Sequence, residues 1–230
     1  MIVSHKHKFI FLKTNKTAGT SIEIALSKFC GPEDIITPIS PVDEETRHSL
    51  GYRGPQNHLA PWYDYGPRDL ARLAIKGKRK LRFYNHMTGR EVLEYVGRDV
   101  WDSYFKFCFE RNPYDRLVSH YYWCNRSEPR PPMSRFIRSP RAMALKQRGY
   151  EVYTLGGKVA VDRICRFEAI ADELEEVRRI IGLPEPLVLP RAKGQHRADK
   201  RGYREVLGEE ERNWVAQTFG EEMRLLGYHY

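Results

Sequence analysis

Residues 9–12 (FIFL) form a short apolar run between Lys8 and Lys13, the pattern of a strand buried on both faces. From residue 20 to 30 the period changes: Ile22, Ala25, Leu26 and Phe29 recur at helical spacing, and Gly31-Pro32 ends the segment. Residues 104–110 (YFKFCFE) alternate and are rich in aromatics, which predicts a second core strand; Asn112-Pro113 stops it, and residues 114–123 resume a helical period. Further helices are expected over 90–100, over 168–182 with Gly182 as the stop signal, and over 209–226, where Val215 and Phe219 fall on a core-facing stripe flanked by Trp214. Residues 31–68 hold no period, are rich in Pro, Gly and Asp, and read as a long surface excursion. Residues 125–140 (NRSEPRPPMSRFIRSP) are basic and Pro-rich and read as another loop. Strands alternating with helices predict an α/β fold, a single domain over 1–230 with a central parallel β-sheet flanked by helices, in which ligands bind beyond the carboxyl ends of the strands.

Composition narrows the partners. At 230 residues and 41% hydrophobic the chain can bury one core. Its 39 Lys and Arg against 30 Asp and Glu give a net charge of +9, which favours an anionic partner: nucleotide, nucleic acid, acidic polysaccharide or anionic membrane surface. Cys30, Cys108, Cys124 and Cys165 are widely spread with no C-x-x-C pair, so reduced thiols in a cytoplasmic protein are expected. The opening MIVSHKHKFIFL is too short in its apolar run for an export signal, and no window approaches the roughly 20 apolar residues of a membrane span.

The two expected strand-to-helix turns carry the chemistry. FIFLKTNKTAGTSI places Lys13, Lys16, Gly19, Thr20 and Ser21 between a strand and a helix N-terminus, a cradle suited to phosphate or sulfate. It does not spell G-x-x-x-x-G-K-[ST], because Lys16 precedes Gly19 and the first Gly is missing. An ordinary polar turn capped by Thr20 or Ser21 is the plain alternative. FCFERNPYDRLVSHYYW sets Arg111 at a strand end and Ser119 about two turns into the next helix, within reach of one anion. Arg116 could do the same, or pair with Asp115 or a surface carboxylate.

Together the two turns carry a resemblance. FLKTNKTAGTS resembles the 5′-phosphosulfate loop of sulfotransferases that use 3′-phosphoadenosine 5′-phosphosulfate (PAPS), and RNPYDRLVS resembles their 3′-phosphate motif. NHMTGRE between them, and RFEAI, LVLPRAKGQHR and LLGYHY after them, resemble the carbohydrate and heparan-type branch, sulfotransferase family 2. The resemblance implies a P-loop-like fold and transfer of a sulfuryl group from PAPS to a hydroxyl of a saccharide or glycoconjugate, with PAP as the product nucleotide and no metal. It implies that Lys16 contacts the bridging and sulfuryl oxygens and that Thr17, Ala18, Gly19, Thr20 and Ser21 hold the 5′-phosphate. Arg111 and Ser119 would bind the 3′-phosphate, with Lys193, Arg197 and Arg201 of a basic loop closing over it. His86, where the branch places a catalytic His, would be the base; His58, His48 and the carboxylate of Glu91 remain alternatives. Acceptor specificity would reside in 31–80 and 125–160, where Trp62, Tyr63 and Tyr65 could stack on a sugar or anchor their loop. The loop has Asn15 where the family usually has Pro. A cytoplasmic bacterial enzyme with no nucleic-acid partner is expected. Two rivals stay open: a P-loop-like nucleotide kinase, for which no acidic magnesium ligand is apparent, and a non-catalytic basic module that binds nucleic acid or sulfated glycan.

Overall fold

The computed structural model describes residues 1–190 and 201–230. In chain order it runs β1 (Ile2–Ser4), β2 (Phe9–Leu12), α1 (Gly19–Ser27), β3 (Ile35–Ile36), α2 (Pro41–Ser49), α3 (Pro67–Lys76), α4 (Gly89–Val96), α5 (Arg98–Ser103), β4 (Phe105–Glu110) and α6 (Pro113–Cys124). It continues with α7 (Met133–Ile137), α8 (Pro140–Gln147), α9 (Tyr150–Tyr153), the hairpin β5 (Thr154–Leu155) and β6 (Lys158–Val159), β7 (Arg163–Arg166), α10 (Ile170–Ile180), α11 (Tyr203–Val206), α12 (Glu209–Thr218) and α13 (Gly220–Leu226).

Five strands make the central sheet in the order β3-β1-β2-β4-β7. β2 pairs parallel with β4, and β4 parallel with β7, with Leu12 opposite Cys108 and Glu110 opposite Arg166. β2 and β4 therefore end side by side, and the turns after them start at one edge of the sheet. Alternation along both strands feeds two cores. Phe9, Phe11, Phe107 and Phe109 point to one face, where Ile22 and Leu26 of α1 and Leu174 and Val177 of α10 cover them. Ile10, Leu12 and Cys108 point to the other, under Val92 of α4, Trp101 of α5 and Val152 of α9. This is the three-layer α/β arrangement the alternating pattern predicts. Val215 and Phe219 sit fully buried in a third cluster with Leu117 and Val118 of α6, and Trp214 packs at its edge.

The expected parallel centre is β2-β4-β7, and it is extended by β1, which runs antiparallel to both β2 and β3; MIVSHKHK offers only three apolar residues ahead of its charges, too few to signal a strand. Other expectations need correction. The 31–68 excursion contains β3 and α2, the helix being started by local chemistry rather than period: Ser40 Oγ accepts from Asp43 N at 3.3 Å and Pro41 follows it. Residues 90–100 are two helices parted at Gly97, whose φ of 82° no helix tolerates. Residues 125–140 include α7, and 209–226 are α12 and α13, broken at Phe219.

Candidate functional site

A cavity of about 530 Å³ opens beyond the ends of β2 and β4. Lys16, Ala18, Gly19, Thr20 and Ser21 line it from the first turn, Arg111 and Ser119 from the second, and His86 from the segment before α4. Thr17 is buried behind the loop, where its Oγ1 lies 2.9 Å from Thr14 Oγ1 and Thr14 bonds the Phe109 carbonyl of β4. The loop is thus stitched to the neighbouring strand.

Backbone shape makes the loop more than a polar turn. Lys16 and Ala18 both adopt left-handed φ, 68° and 59°, and Ala18 is the residue that opens α1. Non-glycine residues in that region are costly, and left-handed residues within a turn bring successive N–H groups round to one side to form an anion-binding concavity. Gly19 is needed for a different reason: its φ is helical, but a Cβ there would lie 2.8 Å from Lys13 Cγ. Lys13 cannot give way, because it is buried and its Nζ donates to Glu23 Oε2 at 2.7 Å and to Asn85 Oδ1 at 3.1 Å. Burial alone would raise the Glu23 carboxyl, but Lys13, the Met1 amine and Arg47 hold it at about 2. Asn15 N donates to the Arg148 carbonyl at 3.1 Å, a bond that a proline in that position could not make.

Arg111 joins the two turns. Its Nη1 donates to the Lys16 carbonyl at 3.2 Å, its Nε and Nη2 donate to Asp115 Oδ2 at 2.8 and 2.6 Å, and its guanidinium lies 4.3 Å from the Phe167 ring centroid. Phe167 is fixed in turn by its neighbour Glu168, which accepts from Asn112 N at 2.7 Å and from Tyr228 OH at 2.9 Å. RFEAI and LLGYHY, far apart in sequence, therefore both brace the second turn. Arg116 is no anion ligand: it is fully buried, donating to Glu110 at 2.6 Å and Glu222 at 3.0 Å.

His86, in left-handed backbone at φ 63°, donates from Nδ1 to the Lys13 carbonyl at 2.8 Å, which leaves Nε2 as the basic nitrogen. Burial, then the Lys13 charge, push its pKa down to about 3, so the ring is neutral. The alternatives lie elsewhere. His48 is exposed, His58 is half-buried with Nδ1 unpartnered, and neither lines the cavity. Glu91 caps α4, accepting from Thr88 N at 2.8 Å and from Tyr84 OH. Trp62 and Tyr63 are exposed away from the cavity, so they neither anchor their loop in the core nor face a ligand there. Arg201 is exposed and does not line the cavity, and Lys193 and Arg197 lie outside the described residues.

The cavity also holds residues that motif reading missed: Asp43, Asn85, Trp123, Arg148 and Phe167. Asn85 and Phe167 sit inside segments already singled out, NHMTGRE and RFEAI, whereas Arg148 follows α8 with no motif around it. Trp123 ends the α6 face, its ring 5.4 Å from Lys16 Nζ. Among the described residues Lys13, Lys16, Arg111 and Arg148 stand against Asp43 alone, so that part of the lining is cationic.

Comparison with known proteins decides the family. A family model described as "Sulfotransferase family" matches residues 1–154, the part that holds both turns and His86. The chain belongs to the sulfotransferase family. Sulfuryl transfer is therefore its general activity. An uncharacterized protein of Archaeoglobus fulgidus is 36% identical to it over 95 residues, 40% of this chain and 79% of that one. Among solved structures, the sulfotransferase from Alicyclobacillus acidocaldarius is similar at a TM-score of 0.42 and 16% identity, over 97% of this chain and 96% of that one.

Proposed function

We propose that this family member transfers the sulfuryl group of PAPS to a hydroxyl of a saccharide or glycoconjugate in the cytoplasm. The observation that carries the reading is the bond from Arg111 Nη1 to the Lys16 carbonyl, which makes the two turns one wall of a single cationic cavity. That cavity is of nucleotide size, and its lining from the two turns supports two separate anion contacts. The left-handed loop and the start of α1 suit the 5′-phosphate, and Arg111 with Ser119 suits the 3′-phosphate.

In the reaction the acceptor oxygen bonds to sulfur as the bond from sulfur to the phosphate oxygen breaks, and the hydroxyl proton leaves. Charge grows on the departing phosphate oxygen, where Lys16 and the fixed loop amides stabilise it without having to reorganise. His86 Nε2 takes the proton; its low affinity in the free protein rises once an anionic donor lies beside it, since a nearby negative charge favours imidazolium.

The test is direct. PAP should raise the Tm, and Lys16→Ala should lose about 10²–10³-fold in turnover of labelled PAPS while still binding PAP. No thermal shift at saturating PAP would end the reading. His86→Ala should lose turnover with PAP affinity kept; if Asp43→Asn did so instead, the base would be the cavity carboxylate.

A further inference from the structure

The segment from residue 62 to 82 leaves the fold where Leu59 and Leu81 form a β-bridge, and α3 is its centre. On that helix Leu70, Leu73, Ala74 and Ile75 share one arc and Arg68, Arg72 and Lys76 the other, the division of a helix that lies at a boundary between apolar and aqueous phases. In a globular protein the apolar arc would face the core. Here most of it is open to water: Ile75 is 81% exposed, Leu70 51%, Ala74 is exposed and Leu73 half-buried, and α3 buries no residue. At the foot of the helix Tyr63 is 86% and Trp62 60% exposed, with Arg79 over the Trp62 ring at 5.3 Å.

Charge says what covers this face. Residues 62–82 carry seven Lys and Arg against two Asp, and one of those Asp is taken up by Lys80 at 2.9 Å. A second copy of the same surface would set like charge against like charge, and a nucleic acid would meet the cations but leave the aliphatic arc in water. Aliphatic side chains with Trp and Tyr beside them, edged by Lys and Arg, match an anionic lipid surface in both respects.

We propose that this lobe docks the protein on anionic membranes, with α3 lying in the interface and Lys78 and Arg79 against the headgroups. The contact proposed is a surface one, made by the exposed side chains of α3 and its foot; among the described residues no helix is long and apolar enough to cross a membrane. The exit of the lobe runs through Phe83 into Asn85 and His86 of the cavity wall. The docking does not depend on the proposed activity.

Co-sedimentation of the full chain with vesicles tests it. Vesicles of phosphatidylcholine with phosphatidylglycerol should bind the protein and pure phosphatidylcholine should not. Leu70→Ser/Ile75→Ser and Lys78→Glu/Arg79→Glu should each weaken binding about tenfold or more, with the Tm unchanged because these side chains are exposed. Failure of the native chain to bind the mixed vesicles overturns the proposal. So does unchanged binding by Leu70→Ser/Ile75→Ser, which would reduce the effect to charge adsorption. A dimer in the ultracentrifuge that this same variant dissociates would overturn it too, by assigning the face to a second copy.

Discussion

Ala18 sits at φ 59°, a region that costs a residue with a Cβ roughly 1–2 kcal/mol and costs glycine nothing. Ala18→Gly should therefore raise stability, by up to about 1 kcal/mol after the greater freedom of glycine in the unfolded chain is subtracted, and denaturant melts would read it. If the left-handed backbone itself forms the anion site, the same variant, which adopts that backbone freely, should keep its PAP affinity; weaker binding would show that the Ala18 side chain is needed to hold the loop in shape. The two arginines of RNPYDR separate stability from binding just as cleanly. Removing Arg116 leaves Glu110 and Glu222 facing each other in the core, so Arg116→Ala should cost about 3–5 kcal/mol. Arg111 is partly exposed and lies against the cavity, so Arg111→Ala should change stability by about 1 kcal/mol or less while weakening PAP about 10- to 100-fold. Equal loss of stability in the two variants would remove the distinction between a core arginine and a ligand-binding one.

At the scale of elements, β2, the loop and α1 act as one piece because Lys13 passes beneath Gly19 and locks onto Glu23 of α1. Gly19→Ala must push that stem aside, which should cost about 1–3 kcal/mol and show as a lower denaturant midpoint. A variant as stable as the parent would mean that Lys13 is freer than its ion pair implies. This junction also shows what could be read from sequence. Strand, loop and helix were legible because FIFL and the Ile22, Ala25, Leu26, Phe29 stripe each satisfy one period over their whole length, and Lys16, Arg111 and Ser119 could be placed because they sit at fixed offsets from those elements. Arg148, Asp43 and the buried pairing of Arg116 were not legible. Arg148 meets the loop through its carbonyl, which every residue has, Asp43 enters on a helix started by a cap, and the partner Glu222 lies 106 positions from Arg116. Gly97 and Phe219 broke helices that a hydrophobic period runs straight through, since a period records which side is buried and says nothing of a single residue's φ.

The whole molecule should be sensitive to acid, and the sign follows from which groups the fold keeps neutral. His86 is lowered to about 3 and His120 to about 4, burial being the first cause in each, and burial lowers His7 and His58 as well. In the unfolded chain each titrates near 6.5, so between that value and its folded one the unfolded state binds a proton that the native state refuses. The contribution of all four is complete above about pH 6.5 and is lost as the pH falls; for the well-buried His86 and His120 the loss is about 1.4 kcal/mol per group for each pH unit of the window. Glu110 opposes them. Burial first, with Glu222 adding to it and Arg116 pulling the other way, raises it to about 7, so the native state holds an extra proton from about 4.5 to 7 and gains stability toward acid. One acid offsets roughly one histidine, and the others leave a net fall. Below about 4.5 Glu23, held near 2 by Lys13 and its neighbours, joins the destabilising side and the slope steepens. The Tm should thus decline from pH 7 to 5 and drop faster below 4.5. His120→Gln, which can keep the bond that Nε2 donates to the Arg141 carbonyl at 3.0 Å without titrating, should flatten the first part of that decline. A Tm that stays level from pH 7 to 5, or a His120→Gln profile parallel to the parent, would show that the buried imidazoles take up protons in the folded state after all.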